Sequence, residues 1–181
     1  MTAPRRIPRR EAFNALAAAL FFAMSASAEE AKSYLQKDIS AAKIDETSDG
    51  YTVDITILAS DFEEMFQKAF NDRRGVDLSA PGILELEIGR FVAQRTAMHE
   101  RDGKLCPNKV ERAGEDPTND EAVRVSLTFA CANHDATYDA SKFLAARSAR
   151  AWQVVTINHG GAHRQVMINA ESPPTSVAQL R

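Results

Sequence analysis

Val123-Arg-Val-Ser-Leu-Thr-Phe129 alternates without a break, with Val123, Val125, Leu127 and Phe129 on one side and Arg124, Ser126 and Thr128 on the other. Successive side chains of an extended chain point to opposite faces, so the stretch reads as a strand with one face buried and one solvated. Cys131 shares the parity of the apolar side, which sets it to pack or bridge inward. Upstream, Tyr51-Thr-Val-Asp-Ile-Thr-Ile-Leu58 repeats the pattern, Val53, Ile55 and Ile57 opposing Thr52, Asp54 and Thr56. Downstream, Trp152–Asn158 and His163–Asn169 flank His159-Gly160-Gly161-Ala162. That arrangement predicts a terminal hairpin, its glycines supplying positive φ at the turn.

Helical spacing appears between these strands. Ser60–Asn71 (SDFEEMFQKAFN) opens with Ser60 three residues before Glu63, the pattern of a capping box. Phe62, Met65, Phe66, Ala69 and Phe70 recur on one helical face, an aromatic stripe read as core and not as a cofactor box. A second helix is expected from Ala80-Pro81 to Gly89-Arg90, followed by a strand over Phe91–His99. Asp102-Gly103 marks a hairpin-like turn, with Lys104-Leu105-Cys106 beginning the return. Glu111–Glu121 (ERAGEDPTNDE) reads as a loop. It is acidic but lacks the ligand spacing and terminal glutamate of a calcium loop. Ala136–Asp139 reads as a short strand and Ser141–Ser148 as a small helix carrying Phe143 and Leu144. Strands joined by turns, with two or three short helices inserted, predict a mainly β fold, an antiparallel β-sandwich-like domain. The runner-up is an α+β two-layer arrangement.

The amino terminus has the order of an export signal: Arg5, Arg6, Arg9 and Arg10, then the apolar run Phe13–Met24, then Ser25-Ala26-Ser27-Ala28, where small residues fit a signal peptidase. The apolar run is too short for a bilayer span, which takes roughly 20 residues. Residues 1–28 are therefore read as a signal peptide, with cleavage near Ala28 and a periplasmic or extracellular product. Residues 29–49 are read as a lead-in segment, 50–170 as one β-rich domain and 171–181 as a flexible tail. Four arginines and one glutamate leave with the leader, so the formal charge of -3 becomes -6. The nearest thing to a basic cluster in the remainder is Arg147, Arg150 and Arg164, too sparse for a nucleic-acid surface. No nucleic acid is expected as partner, and no membrane span in the mature chain.

The chain has two cysteines, Cys106 and Cys131. An oxidising compartment favours a disulfide between them, closing a loop worth about 3–4 kcal/mol in the chain-entropy view; two separate buried thiols are the competing reading. Among the four histidines, His159 and His163 flank the glycine turn, and His134 precedes Asp135 in another loop. Imidazoles gathered there would share a single transition metal, against the plainer reading of polar turn residues. His99, beside Glu100, is expected to make a structural hydrogen bond. There is no Gly-x-Ser-x-Gly elbow and no His-Glu-x-x-His helix, and Trp152 is expected to anchor the core. The reading leans away from an enzyme and from any cofactor, and towards an exported binding or envelope accessory protein with an envelope or membrane protein as partner. Metal delivery through His159 and His163 and a small hydrolase are the alternatives.

The progression of Tyr51–Leu58, the helix at Ser60, Phe91 to Cys106 with its Asp102-Gly103 turn, Val123–Cys131 and Val154–Gly161 resembles the extracytoplasmic N-terminal domain of HupE/UreJ-type membrane proteins. That resemblance implies an extracytoplasmic β-rich fold beside a membrane protein, in a family associated with nickel handling. The sequence departs from the family's pattern in that no membrane portion is expected from it.

Overall fold

The alternating segments pair as the pattern requires. The computed structural model of the chain describes residues 35–70, 82–159 and 161–178; the leader sequence read at residues 1–28 lies outside them. In order the elements are β1 (Ile39–Thr47), β2 (Gly50–Leu58), α1 (Ala59–Phe70), α2 (Ile83–Ala93), β3 (Ala97–Glu100), β4 (Asn108–Asp116), β5 (Asn119–Ala130), β6 (Ala136–Asp139), α3 (Ser141–Arg147), β7 (Trp152–His159), β8 (Ala162–Asn169) and β9 (Thr175–Ser176). A six-stranded sheet runs β4-β5-β2-β1-β7-β8, and a three-stranded sheet runs β3-β6-β9. The fold is mainly β and sandwich-like, with three short helices among the described residues, as the sequence pattern predicts. One pairing breaks the antiparallel expectation: β1 and β7 run parallel, Ile44 beside Ile157.

One face of the large sheet carries the core. Ile44, Val53, Ile55, Ile57, Val125, Leu127, Phe129, Val155 and Ile157 are all at most 1% exposed. Phe62 and Phe66 of α1 stack at 5.4 Å, and Phe62 meets Phe91 of α2 edge-on at 5.8 Å. The small sheet contributes Met98, Ala136 and Tyr138 to the same core. Tyr138 donates its hydroxyl to Gln153 Oε1 of β7 at 3.1 Å, so a buried polar bond joins the two sheets, and burial pushes the Tyr138 phenol far above its ordinary range. α2 lies close on β4, where a Cβ on Gly89 would come within 2.6 Å of Val110. Gly50 opens β2 with φ 137°, and a Cβ there would meet the Phe129 carbonyl oxygen, so only glycine lets β2 lie so close against β5.

Several expectations are corrected. The lead-in segment 29–49 contains β1, which is hydrogen-bonded on both sides inside the large sheet. Residues 171–181 include β9, and Val177 is fully buried with its N–H on the Ala136 carbonyl oxygen; the last three residues lie outside the described part. Glu111–Glu121 is not a loop, since β4 runs to Asp116 and β5 starts at Asn119. α2 continues through Ala93, so the strand expected over Phe91–His99 shrinks to Ala97–Glu100. α1 begins at Ala59, which puts Ser60 inside the helix, and Glu63 accepts a bond from Gln67 one turn on. Among the described residues no helix is long and apolar enough to cross a membrane.

Candidate functional site

The histidines singled out by sequence separate on the pleat. In the β7–β8 hairpin Asn158 pairs with His163 and His159 with Ala162. Cross-strand partners share a face and neighbours along a strand alternate, so His159 points to the core face and His163, exposed, to the outer face. Strand parity thus sets His159 and His163 on opposite faces of the hairpin. His134 joins His159 instead, through a residue the sequence reading passed over. Glu46 lies on β1 two places beyond buried Ile44, on the inner face. Its Oε1 sits 2.9 Å from His134 Nδ1 and its Oε2 3.1 Å from His159 Nδ1. The signal for Glu46 was the parity of Ala42, Ile44 and Glu46, visible only once Ile39–Thr47 is read as a strand.

Tyr51 completes this cluster. It pairs with Glu46 across β1 and β2, is 1% exposed, and donates its hydroxyl to the His134 carbonyl oxygen at 2.5 Å. Burial, with the negative charges of Glu46 and Asp135, pushes the phenol up to about 12. The loop carrying His134 is pinned from its other side by Glu100, whose carboxylate oxygens accept Ala132 N–H at 2.9 Å and Asn133 Nδ2 at 3.0 Å. At the start of the loop Cys131 is bonded to Cys106, a disulfide as the compartment argument expected. Cys131 is therefore no nucleophile for His134. The chemistry of the arrangement is that of a clasp: Glu46 and Tyr51 tie the 131–135 loop to the ends of β1 and β2, and Glu100 and the disulfide tie it to β3 and to the segment before β4. No group of three or more His, Cys, Asp or Glu residues among the described ones is disposed to hold a metal ion. His99 Nδ1 lies 3.4 Å from the Gly103 carbonyl oxygen across the Asp102-Gly103 turn, a long local contact.

The outer face of the large sheet differs. Over most of its width it is a ladder of polar pairs, Ser126 donating to Asp54, Lys43 beside Asp45, and Asn158 donating to Asp45. At the end where β1 and β7 begin it becomes apolar. Trp152, expected in the core, is 38% exposed here, and Met167 is 55% exposed. Trp152 pairs with Ile39, while Met167, Val154 and Ala41 line up in one row across β8, β7 and β1. Strand parity makes these side chains neighbours on one face. The sequence carried the signal: Trp152 and Val154 alternate out of phase with the buried Gln153, Val155 and Ile157.

A third polar constellation lies between α1 and α3. Arg147 donates through Nη2 to Asp61 Oδ2, and both side chains are almost wholly buried. Arg147 follows Phe143 by four residues, so its place on the apolar face of α3 was legible as a charge at a core position. No protein-family model matches the chain, and no curated protein does either.

Proposed function

We propose that this chain is an exported, non-enzymatic binding domain of the cell envelope, and that it engages a partner protein through the apolar end of its outer sheet face. The observation that carries the reading is the Trp152–Met167 patch, in which a large aromatic and a flexible thioether stay exposed on an otherwise polar ladder. Tryptophan and methionine are enriched where proteins meet, because they bring large contact area. The Cys106–Cys131 disulfide supports an oxidising compartment, and the basic, apolar, small-residue order of residues 1–28 supports the route to it. The resemblance to the extracytoplasmic domain of HupE/UreJ-type proteins points the same way, to a domain at work beside a membrane protein.

The test is site-specific photo-crosslinking in living cells. A photoreactive residue at Met167 is expected to give one discrete envelope adduct, and one at Lys109 on β4 none. Trp152→Ala combined with Met167→Lys should abolish a partner adduct formed from a neighbouring position, while urea unfolding shifts by no more than about 0.5 kcal/mol. Equal labelling from Met167 and Lys109, or a chain retained uncleaved and reduced in the cytoplasm, would contradict the proposal.

A further inference from the structure

At the end of the molecule where β1 begins, a cavity of about 350 Å³ opens between α1, the residues preceding β1 and the segment following α3. Asp61, Glu64, Met65 and Lys68 recur at three- and four-residue spacing, so one face of α1 forms a wall. Arg147 and Ser148 line it opposite, and Lys37 and Arg150 stand exposed at its edge. The volume is at the small end of the range for ligand pockets.

The guanidinium of Arg147 is what marks this cavity. Its side chain is 2% exposed, and of its nitrogens only Nη2 has an acceptor, on Asp61. Nε and Nη1 are buried without an acceptor among the described residues. Asp61 is itself divided, since the oxygen that meets Arg147 also accepts the Asp38 N–H at 3.1 Å. A guanidinium carries five donors and no acceptor, and buried donors in folded proteins are normally satisfied. The charges around it do not cancel. Lys68 is paired with Glu64 at 2.7 Å and Arg147 with Asp61, which leaves Lys37 and Arg150 facing Asp38 alone within the lining. An acidic chain thus gathers four cations around one small hollow.

We infer that this cavity binds a small oxyanion, a carboxylate or phosphate group, with Arg147 as the buried counter-charge and Lys37 and Arg150 as the entry charges. Planar guanidinium donors suit both groups. Asp61 holds Arg147 in place as an internal carboxylate, and a ligand oxyanion shares or takes over that role. The inference is independent of the partner surface proposed above.

The experiment is calorimetric and thermal-shift titration of the folded, disulfide-bonded chain in a non-coordinating buffer at constant ionic strength, with inorganic phosphate and with acetate as probes and chloride as control. Saturable binding with a rise in Tm is expected for phosphate, acetate or both, and none for chloride. A response to phosphate alone assigns the ligand group as phosphoryl, and a response to acetate as carboxylate. Lys37→Ala with Arg150→Ala, both at exposed positions, should weaken binding about tenfold. Asp61→Asn removes the competing carboxylate and should tighten binding about tenfold, with the larger gain in Tm on adding the anion. Arg147→Met should abolish binding, and Arg147→Lys, which keeps the charge with fewer donors, serves where the former does not fold. Absence of binding to both probes by the parent chain and by the Asp61→Asn variant overturns the inference. So does binding that the Lys37/Arg150 double substitution leaves unchanged.

Discussion

The two ends of β1 hold polar clusters of opposite character. Glu46, near its carboxyl end, meets His134 and His159 and pairs across strands with Tyr51, next to a loop closed by a disulfide and by Glu100. Asp38, just before its amino end, borders a cavity in which a buried arginine has one acceptor for its donors among the described residues. Eight residue steps separate Asp38 from Glu46, roughly 26 Å at strand rise. The clasp contains the residues that invite chemical readings, histidines and cysteines, and uses them to hold a loop. The cavity is built around an arginine and an aspartate of no recognisable motif, and two buried nitrogens of that arginine are without an acceptor among the described residues.

The largest expected effect lies at the cavity end. Arg147→Met should cost about 3–5 kcal/mol in urea unfolding, because it leaves Asp61 buried without its counter-charge. Adding Asp61→Leu to that variant should recover most of the loss, since an apolar pair avoids desolvating two charges. Failure of the second change to restore stability would mean that the ion pair positions structure and has no room to spare, which would erase the contrast between the ends. At the clasp end, Cys106→Ala with Cys131→Ala should cost about 3–4 kcal/mol by freeing a loop of 25 residues in the unfolded chain. The same loss should follow reduction of the parent chain with a thiol.

Smaller effects sharpen the account of the clasp. Glu46→Gln is expected to cost about 0.5–1 kcal/mol, because His134 is half exposed and solvent screens the pair. Hydrogen exchange should quicken in residues 131–135 and leave α1 unchanged; equal quickening at both would contradict the separation of the two ends. The smallest effect is on alkaline stability. The Tyr51 phenol keeps its proton to about 12 in the folded chain, against 10.0 ordinarily. Folded protein therefore holds a proton that the unfolded chain gives up, and stability, complete below pH 10, declines as the pH rises towards 12. Tyr51→Phe should flatten part of that decline between pH 10 and 12, while Tyr138, shifted in the same direction, keeps the remainder. An unaltered slope would show that burial, with Glu46 and Asp135, does not hold the Tyr51 proton.

Much of the fold was legible because β2, β5, β7, β8 and α1 each carry their own period. Val123–Phe129 and Tyr51–Leu58 alternate strictly, and Phe62, Met65 and Phe66 mark one helical face. β1 was hidden because Ile39–Thr47 (ISAAKIDET) buries small residues, Ser40 and Ala42, whose inward places are set by β2 and β7 and not by hydropathy. Its parallel partner lies more than a hundred residues away, beyond the reach of any local pattern. β4 was hidden for the opposite reason: it is an edge strand, mostly exposed, and its composition (NKVERAGED) is that of a loop. The disulfide followed from cysteine number and compartment. The clasp was half legible, its histidines by type but Glu46 only through β1. Asp61 and Arg147 approach across 86 positions, and the chain itself showed only an arginine on the apolar side of a short helix.

The most direct test of the contrast between the ends is a nitrogen-15 NMR titration of the oxidised chain with phosphate and with acetate, following arginine Nε–H and histidine ring resonances together. The account predicts that the Arg147 Nε signal moves saturably with at least one of them while the rings of His134 and His159 stay in place. Movement of the histidine signals with Arg147 unmoved, or no saturable change at Arg147 with either anion, would contradict it.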